Sequence, residues 1–352
     1  MVSKTVSRTS GQRERERAKP WVFCKMVLRA SSAVSRRNCK VVWFAVSPSR
    51  KVSAALEAEG VLRRYRNGRG VGPVSLRLGN GEVLALLGPN GSGKTTLLRC
   101  LATRSRIRGG EVRWFGNPDP ARARPRLAVV FDATAHVDEV SGEENLRFFA
   151  GARRAPVTPG LLVEAGLAEV GGEQVSNYSY GMRRRLVIAE ALVGDPALLV
   201  LDEPTLGLDV EGRRWLETVL HERQRRGLST LLGTNDTSFV EEVATRVGFL
   251  VDGRLVADSP LAELLASVGG LREVSLRFRG DVDLERLRAV AGVHQVVASS
   301  DGALVLAAQR DGLVADLLGA VGELDRLLID LSIREPRLAE CFLQLTGRPL
   351  DG

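Results

Sequence analysis

No stretch of the 352 residues approaches the ~20 consecutive apolar residues that a membrane-spanning helix needs, so a passage through a bilayer would have to come from another chain. Cysteines are few: Cys24, Cys39, Cys100 and Cys341 are scattered without C-x-x-C spacing, which excludes a thiolate metal site or a disulfide framework of the usual spacing. No stretch has the charged start, apolar middle and small-residue cleavage site of a signal peptide. A reducing cytoplasm is the simplest setting, with Cys100 and Cys341 expected as small buried hydrophobes. His136, His221 and His294 are the only histidines. Each is expected to be a surface or packed residue.

Acidic residues are scarce only at the start of the chain. The net charge of +8 suggests a partner such as nucleic acid, because basic domains neutralise phosphates and release counterions. Residues 1–51, however, hold 13 Lys and Arg against two acids, Glu14 and Glu16, while the remainder holds 37 against 40. The excess belongs to the extension and not to the folded body. Its isolated Trp21, Trp43 and Phe44 follow neither helical nor alternating spacing. Residues 1–51 are therefore expected to be a disordered basic extension, the alternatives being an anchor for acidic lipid or sequence upstream of the true start.

Beyond residue 51 the composition is that of an ordinary globular protein, long enough for one sizeable core and a smaller companion. From Leu56, short apolar runs bounded by Gly, Pro and Asn alternate with helical segments, which predicts an α/β domain. Val83–Leu87 and Ala197–Leu201 are apolar throughout, as in parallel strands buried on both faces. A helix is predicted from about Glu211 to Arg226 with Trp215, Leu216, Val219 and Leu220 on one stripe, and a hairpin at Asp252-Gly253. After Gly269-Gly270 the strict alternation of Val274, Leu276 and Phe278 opens a second unit, whose order βαββαβ predicts a ferredoxin-like domain closed by a helix near Pro336–Leu345. The expected division is thus 1–51, 52–268 with a helical subdomain at about 133–195, and 269–352.

Two motifs carry chemistry. Gly88, Pro89, Asn90, Gly91, Ser92, Gly93, Lys94 and Thr95 fit G-x-x-x-x-G-K-[ST] between an apolar strand and a helical run that starts with Thr96 and Leu97. Glycines let backbone N–H groups approach phosphates, the helix start adds donors and a positive dipole end, Lys94 reaches the β/γ-phosphates, and the Thr95 hydroxyl ligates Mg²⁺. Asp202 and Glu203 leave the C-terminal edge of an apolar strand, where open α/β sheets bind ligands. Asp202 is expected to hold Mg²⁺ through water and Glu203 to polarise the attacking water. Together the motifs specify a P-loop nucleotide triphosphatase with a RecA-like core.

Between them, Asn177-Tyr-Ser179-Tyr-Gly181-Met-Arg-Arg-Arg185 enters an apolar-periodic helix. With Tyr65-Arg66 before the phosphate loop, Leu206-Gly-Leu-Asp209 after the acidic pair, and the ending Glu335-Pro-Arg-Leu-Ala-Glu-Cys-Phe-Leu-Gln-Leu-Thr-Gly347, residues 54–348 resemble the ATP-binding subunits of ABC transporters, in particular a drug- and antibiotic-exporter subgroup. The resemblance implies that Tyr65 stacks on adenine and that Ser179 and the Gly181 amide contact the γ-phosphate held by a second cassette, with two copies sandwiching two ATP molecules. Asp209 would lie in the loop that touches the opposite protomer. The region from about Phe131 to Leu161 would lie in or lead to the subdomain that grips a separate integral membrane permease, placing the chain at the cytoplasmic face of the cell membrane. ATP and Mg²⁺ are the implied cofactors, and no nucleic-acid partner is expected: the nucleic-acid relatives need tandem cassettes or a long coiled-coil insertion, and one phosphate loop with no heptad run is present.

Two positions depart from the family pattern. Asp132 stands where the family usually has a Gln that contacts Mg²⁺ and water, and Asn235 where it usually has a His that hydrogen-bonds the γ-phosphate. Both are candidate catalytic positions, Asp132 also a candidate metal contact. The expectation is intact ATP binding with slowed hydrolysis; the alternative is a regulatory subunit that dimerises on ATP and barely turns over.

Overall fold

A computed structural model describes residues 54–131, 136–157, 160–268, 270–278, 284–299, 302–321, 328–334 and 337–350. The basic extension 1–51 and the expected site at Asp132 lie outside the described residues. The described residues, all within Lys51–Gly352, pack as one compact unit.

The chain opens with the hairpin β1 (Ala54–Arg64) and β2 (Gly70–Gly79), then β3 (Val83–Leu87), α1 (Lys94–Leu101), β4 (Gly109–Trp114), α2 (Pro120–Ala123) and β5 (Leu127–Val130). Helices α3 (Gly142–Arg153), α4 (Gly160–Glu164) and α5 (Tyr180–Leu192) precede β6 (Leu198–Asp202), α6 (Val210–Arg225), β7 (Ser229–Thr234), α7 (Thr237–Val243), the hairpin β8 (Arg246–Val251) and β9 (Arg254–Pro260), and α8 (Leu261–Ser267). The last part runs β10 (Leu271–Phe278), α9 (Leu284–Arg288), β11 (Val293–Ser299), β12 (Gly302–Ala308), α10 (Leu313–Val321), β13 (Leu328–Arg334) and α11 (Leu338–Thr346).

The central sheet has the order β5-β6-β7-β3-β8-β9, parallel except for the antiparallel edge strand β9. Every residue of β3, β6 and β7 is buried, which is why β3 and the first four residues of β6 are unbroken apolar runs instead of alternating ones. One face carries α1 and the antiparallel sheet β2-β1-β4, joined through Leu97, Leu98, Leu101 and Trp114. The other face is covered by α5, α6 and α7. Cys100 and Cys341 are buried free thiols, as expected.

Capping chemistry fixes the helical insert. Ser141 accepts from the Glu144 amide (3.2 Å) while the Glu144 carboxylate accepts from the Ser141 amide (2.9 Å), the reciprocal box that S-x-x-E encodes. The fully buried Asn145 accepts from the Val137 amide (2.8 Å) and donates to the Val137 carbonyl (3.0 Å), pinning the segment that enters α3.

The third sheet, β11-β12-β10-β13, is antiparallel throughout, with Leu287 of α9 and Leu317 of α10 buried in one cluster with Leu276 and Val305 of the strands. This is the strand order of a ferredoxin-like unit. The last helix departs from the expected division. Phe342 and Cys341 of α11 are fully buried in the central core, Phe342 edge-on to Phe249 with ring centroids 5.2 Å apart, and the Leu338 amide donates to Glu241 of α7 (2.7 Å). Helix α11 thus packs into the core of the central sheet.

Burial on α5 makes stability pH-dependent. Glu190 is 2% exposed with one carboxylate oxygen unpartnered, and desolvation pushes its pKa up to about 8 from 4.5. A raised folded-state pKa contributes stability that is fully present below about 4.5 and lost as pH rises through about 8. Glu190→Gln should therefore flatten the fall of Tm between pH 6 and pH 8, by roughly 1.5 °C per kcal/mol recovered, as read by thermal denaturation. Some slope persists in the variant, because burial and the neighbouring Glu340 also raise Glu273 to about 8. An unchanged slope would show that Glu190 ionises without penalty.

Candidate nucleotide site

Three adjacent strands end together. In register, Asp202 of β6 lies beside Gly233 of β7, and Thr234 beside Leu87 of β3, so the loops after β3, β6 and β7 open on one edge of the sheet. Glycine at 233 permits this approach: a Cβ there would stand 2.8 Å from Leu98 Cδ1 and 3.4 Å from Lys94 Cβ. A side chain at residue 233 would displace the end of Leu98 and press on the start of α1 beside the site.

The phosphate loop leads from β3 into α1 through Gly93, whose φ of 107° is left-handed. Lys94 is 5% exposed, donates to the Gly88 carbonyl (2.6 Å), and lies 3.4 Å from the Glu203 carboxylate. Thr95, half-buried one residue later, places its hydroxyl near enough to Asp202 to favour the charged carboxylate. Asp202 is 4% exposed, and its Oδ1 has no hydrogen-bond partner. Burial raises the pKa of Asp202 and the negative Glu203 adds to that; the Thr95 hydroxyl, Lys94 and Arg99 oppose it.

These residues fit Mg²⁺. A buried carboxylate oxygen without a partner beside a threonine hydroxyl is an all-oxygen pair for a hard cation, which usually keeps several waters and binds through one or two carboxylates plus substrate phosphates. Among the described residues no three His, Cys, Asp or Glu side chains gather, so phosphates and water would complete the coordination.

The β1–β2 turn lies over the phosphate loop, with Gly70 O 3.4 Å from where a Gly93 Cβ would stand. Tyr65, 39% exposed, begins this turn, and the Arg63 guanidinium sits 5.0 Å from its ring centroid. One ring face is backed by a cation and the residue is free to present the other to a planar base.

Asn235 follows β7 and is half-buried. Sequence reading passed over its neighbour Asp236. That carboxylate accepts from the Phe239 amide (2.9 Å), the Ser238 hydroxyl (2.8 Å), the Thr205 hydroxyl (3.0 Å) and Arg213 (3.1 Å). Burial alone would raise its pKa, but these donors together hold it below the usual carboxylate range. The N-cap role is legible in D-T-S-F; the ties to Thr205 and Arg213, 31 and 23 residues away, carry no local pattern.

Ser179 caps α5, accepting from the Met182 amide (3.2 Å), and is exposed. Tyr180, 56% exposed, packs over Gly207: a Cβ at 207 would fall 2.0 Å from its Cε1. Asp209 caps α6 by accepting from the Gly212 amide (2.8 Å) and lies 3.9 Å from Arg185. The structure therefore gathers Lys94, Thr95, Asp202, Glu203 and Asn235 at one edge, and groups Ser179 and Gly181 with Gly207 on a separate surface.

The sequence pattern of the ABC transporter family matches residues 71–206. A daunorubicin resistance ATP-binding protein of Streptomyces coeruleorubidus is 35% identical over 306 residues, covering 83% of this chain and 96% of its own. A fluoroquinolones export ATP-binding protein of Mycobacterium tuberculosis is 37% identical over 248 residues, 67% of this chain and 81% of its own. Among solved structures, an ATP-binding subunit of an ABC transporter superposes with a TM-score of 0.57 at 26% identity, over 61% of this chain and 93% of its own. The cassette MJ0796, solved as a dimer with ADP and Pi, shares the fold at a TM-score of 0.52 and 22% identity, over 58% of this chain and 98% of its own.

Proposed function

The chain belongs to the ABC transporter family of ATP-binding proteins, and on that premise we propose that it binds MgATP, hydrolyses it at Glu203, and drives export of a small hydrophobic compound through a separate integral membrane permease. The observation that carries the reading is the convergence of Lys94, Thr95, Asp202 and Glu203 on one sheet edge, with Lys94 and Glu203 3.4 Å apart. Gly88–Gly93 amides and Lys94 would cradle the phosphates, Thr95 and Asp202 would hold Mg²⁺, which screens phosphate charge, and Tyr65 would stack on adenine. Glu203 accepts the proton of the attacking water, a role that needs a carboxylate aimed into the site. Its intact placement favours the motor over the regulatory alternative.

Export is supported by the relatives' names and by the helical insert, where Phe148 and Val163 are 61% and 66% exposed, a surface suited to a permease. Among the described residues no helix is long and apolar enough to cross a membrane. Attachment to the cytoplasmic face would come through the permease. The surface of exposed Ser179 and Tyr180 with half-buried Gly181 suits a second copy of the chain, each copy covering the γ-phosphate of the other.

Hydrolysis is proposed to be slower than in relatives with His at position 235. Asn is shorter and cannot become cationic, so its contact with a γ-phosphate is longer or passes through water. Losing a positioned donor costs at most about 10²–10³ in rate. Because Asn still donates, Asn235→His should raise steady-state turnover by less than that, at unchanged ATP affinity. Turnover that stays level or falls in the intact transporter would mark Asn235 as an adapted replacement.

A further inference from the structure

The backbone changes direction at Glu203. β6 ends at Asp202, and the next residue adopts φ 44°, a left-handed conformation that few non-glycine residues take and that persists only where the surroundings enforce it. This turn brings the Glu203 carboxylate to 3.4 Å from Lys94. Three hydrogen bonds hold its backbone: the Glu203 amide donates to the Gly233 carbonyl (2.8 Å), and its carbonyl accepts from Arg184 Nη2 (2.7 Å) and, more weakly, from the Leu206 amide (3.3 Å).

Arg184 does more than close that turn. The same nitrogen donates to the Asp202 carbonyl (2.9 Å), and Nη1 donates to the carbonyl of Phe131, one residue beyond β5 (3.2 Å). The residue is 3% exposed and sits in α5, one turn after the cap Ser179. A buried planar guanidinium is suited to this task, since its rigid fork serves several acceptors at once and it stays charged. Nothing in the phosphate-loop or acidic-pair motifs requires an arginine at 184.

We propose that Arg184 is the positioning residue of Glu203: by donating to the carbonyls of Phe131, Asp202 and Glu203 it enforces the left-handed turn that aims the carboxylate, and ties that aim to the helix carrying Ser179 and Gly181. In a paired assembly those two residues face the opposite nucleotide, so movement of α5 on a partner's ATP is transmitted to the chain's own carboxylate. The inference rests on the proposed hydrolysis at Glu203.

The test uses the full chain as wild type, Arg184→Met, Arg184→Lys, Glu203→Gln and the Arg184→Met/Glu203→Gln pair. Arg184→Met should lower kcat by about 10- to 100-fold, the scale of a misplaced reacting group, while the Kd of a fluorescent ATP analogue with Mg²⁺ changes less than about twofold because the phosphate loop is untouched. Amide hydrogen exchange should quicken over Asp202–Thr205 and stay unchanged over Gly88–Thr95. Arg184→Lys, with charge but no fork, should recover part of kcat; if the Met variant does not fold, the Lys variant must still show a kcat loss, smaller than that expected of Met, at constant Kd. In the Glu203→Gln background, Arg184→Met should add no further loss in single-turnover hydrolysis. An unchanged kcat in a folded Arg184 variant, or the same fold-loss in both backgrounds, overturns the proposal. A wild type that binds MgATP without hydrolysing it instead overturns the reading on which the proposal stands.

Discussion

Glu203→Gln should lower ATP turnover by about 10²–10⁴, the range lost with a general base, while MgATP binds at least as tightly as to the wild type. The two halves of this result have separate causes. Gln keeps the size of Glu but cannot take the proton of the attacking water. It also removes a negative charge that now stands 3.4 Å from Lys94, where an incoming γ-phosphate would compete for the same ammonium. With hydrolysis blocked, the proposed pairing through Ser179 and Gly181 should persist, and the variant should elute as a dimer in size-exclusion chromatography with MgATP and as a monomer without it. Turnover within about threefold of wild type would remove Glu203 from the chemistry. A monomer at saturating MgATP, with binding confirmed, would remove the pairing of like copies.

The site was readable wherever chemistry demands a residue type at a fixed offset along the chain. The phosphate loop needs glycines, Lys94 and Thr95 within eight residues, and the acidic pair needs only a buried strand before it. Register then brings Asp202, Gly233, Thr234 and Leu87 side by side without further instruction. The alternation of Val274, Leu276 and Phe278 likewise located the third sheet, because a half-buried strand writes its face into the sequence. What escaped is contact made to backbone or across long separations. Arg184 binds carbonyls, which every residue possesses, so neither Phe131 nor Asp202 signals the arginine that serves it. Asp236 shows only its local capping role, while its bonds to Thr205, in the loop after β6, and Arg213, on α6, join segments far apart in the chain. The packing of α11 was hidden for a similar reason: an amphipathic stripe says that Phe342 is buried, not which core receives it.

Lys94 should govern affinity as Glu203 is proposed to govern turnover, and Lys94→Met separates the two. Methionine roughly preserves the apolar stem and volume of the lysine while deleting its charge and its donors to the Gly88 carbonyl and to phosphate. Hydrogen bonds to charged groups contribute ~1.5–3 kcal/mol each, and the attraction between an ammonium and a polyphosphate in a buried site adds to that. The Kd for MgATP should therefore rise by about 100-fold or more, which corresponds to ~2.7 kcal/mol. Folding need not suffer in proportion, because removing a cation that is 5% exposed also removes its desolvation cost; the partner left behind, Glu203, keeps about a third of its side chain in water and retains solvation. The measurement is thermal denaturation with and without ligand. At a MgATP concentration of about 100 times the wild-type Kd, binding stabilises the fold by ~2.7 kcal/mol, and the same concentration should give Lys94→Met less than ~0.5 kcal/mol. The variant's own Tm without nucleotide reports any damage to the fold separately from the lost shift. A full wild-type shift in a folded Lys94→Met chain would mean that phosphate binds somewhere other than Gly88–Thr95, and with it the assignment of this sheet edge as the nucleotide site would fall.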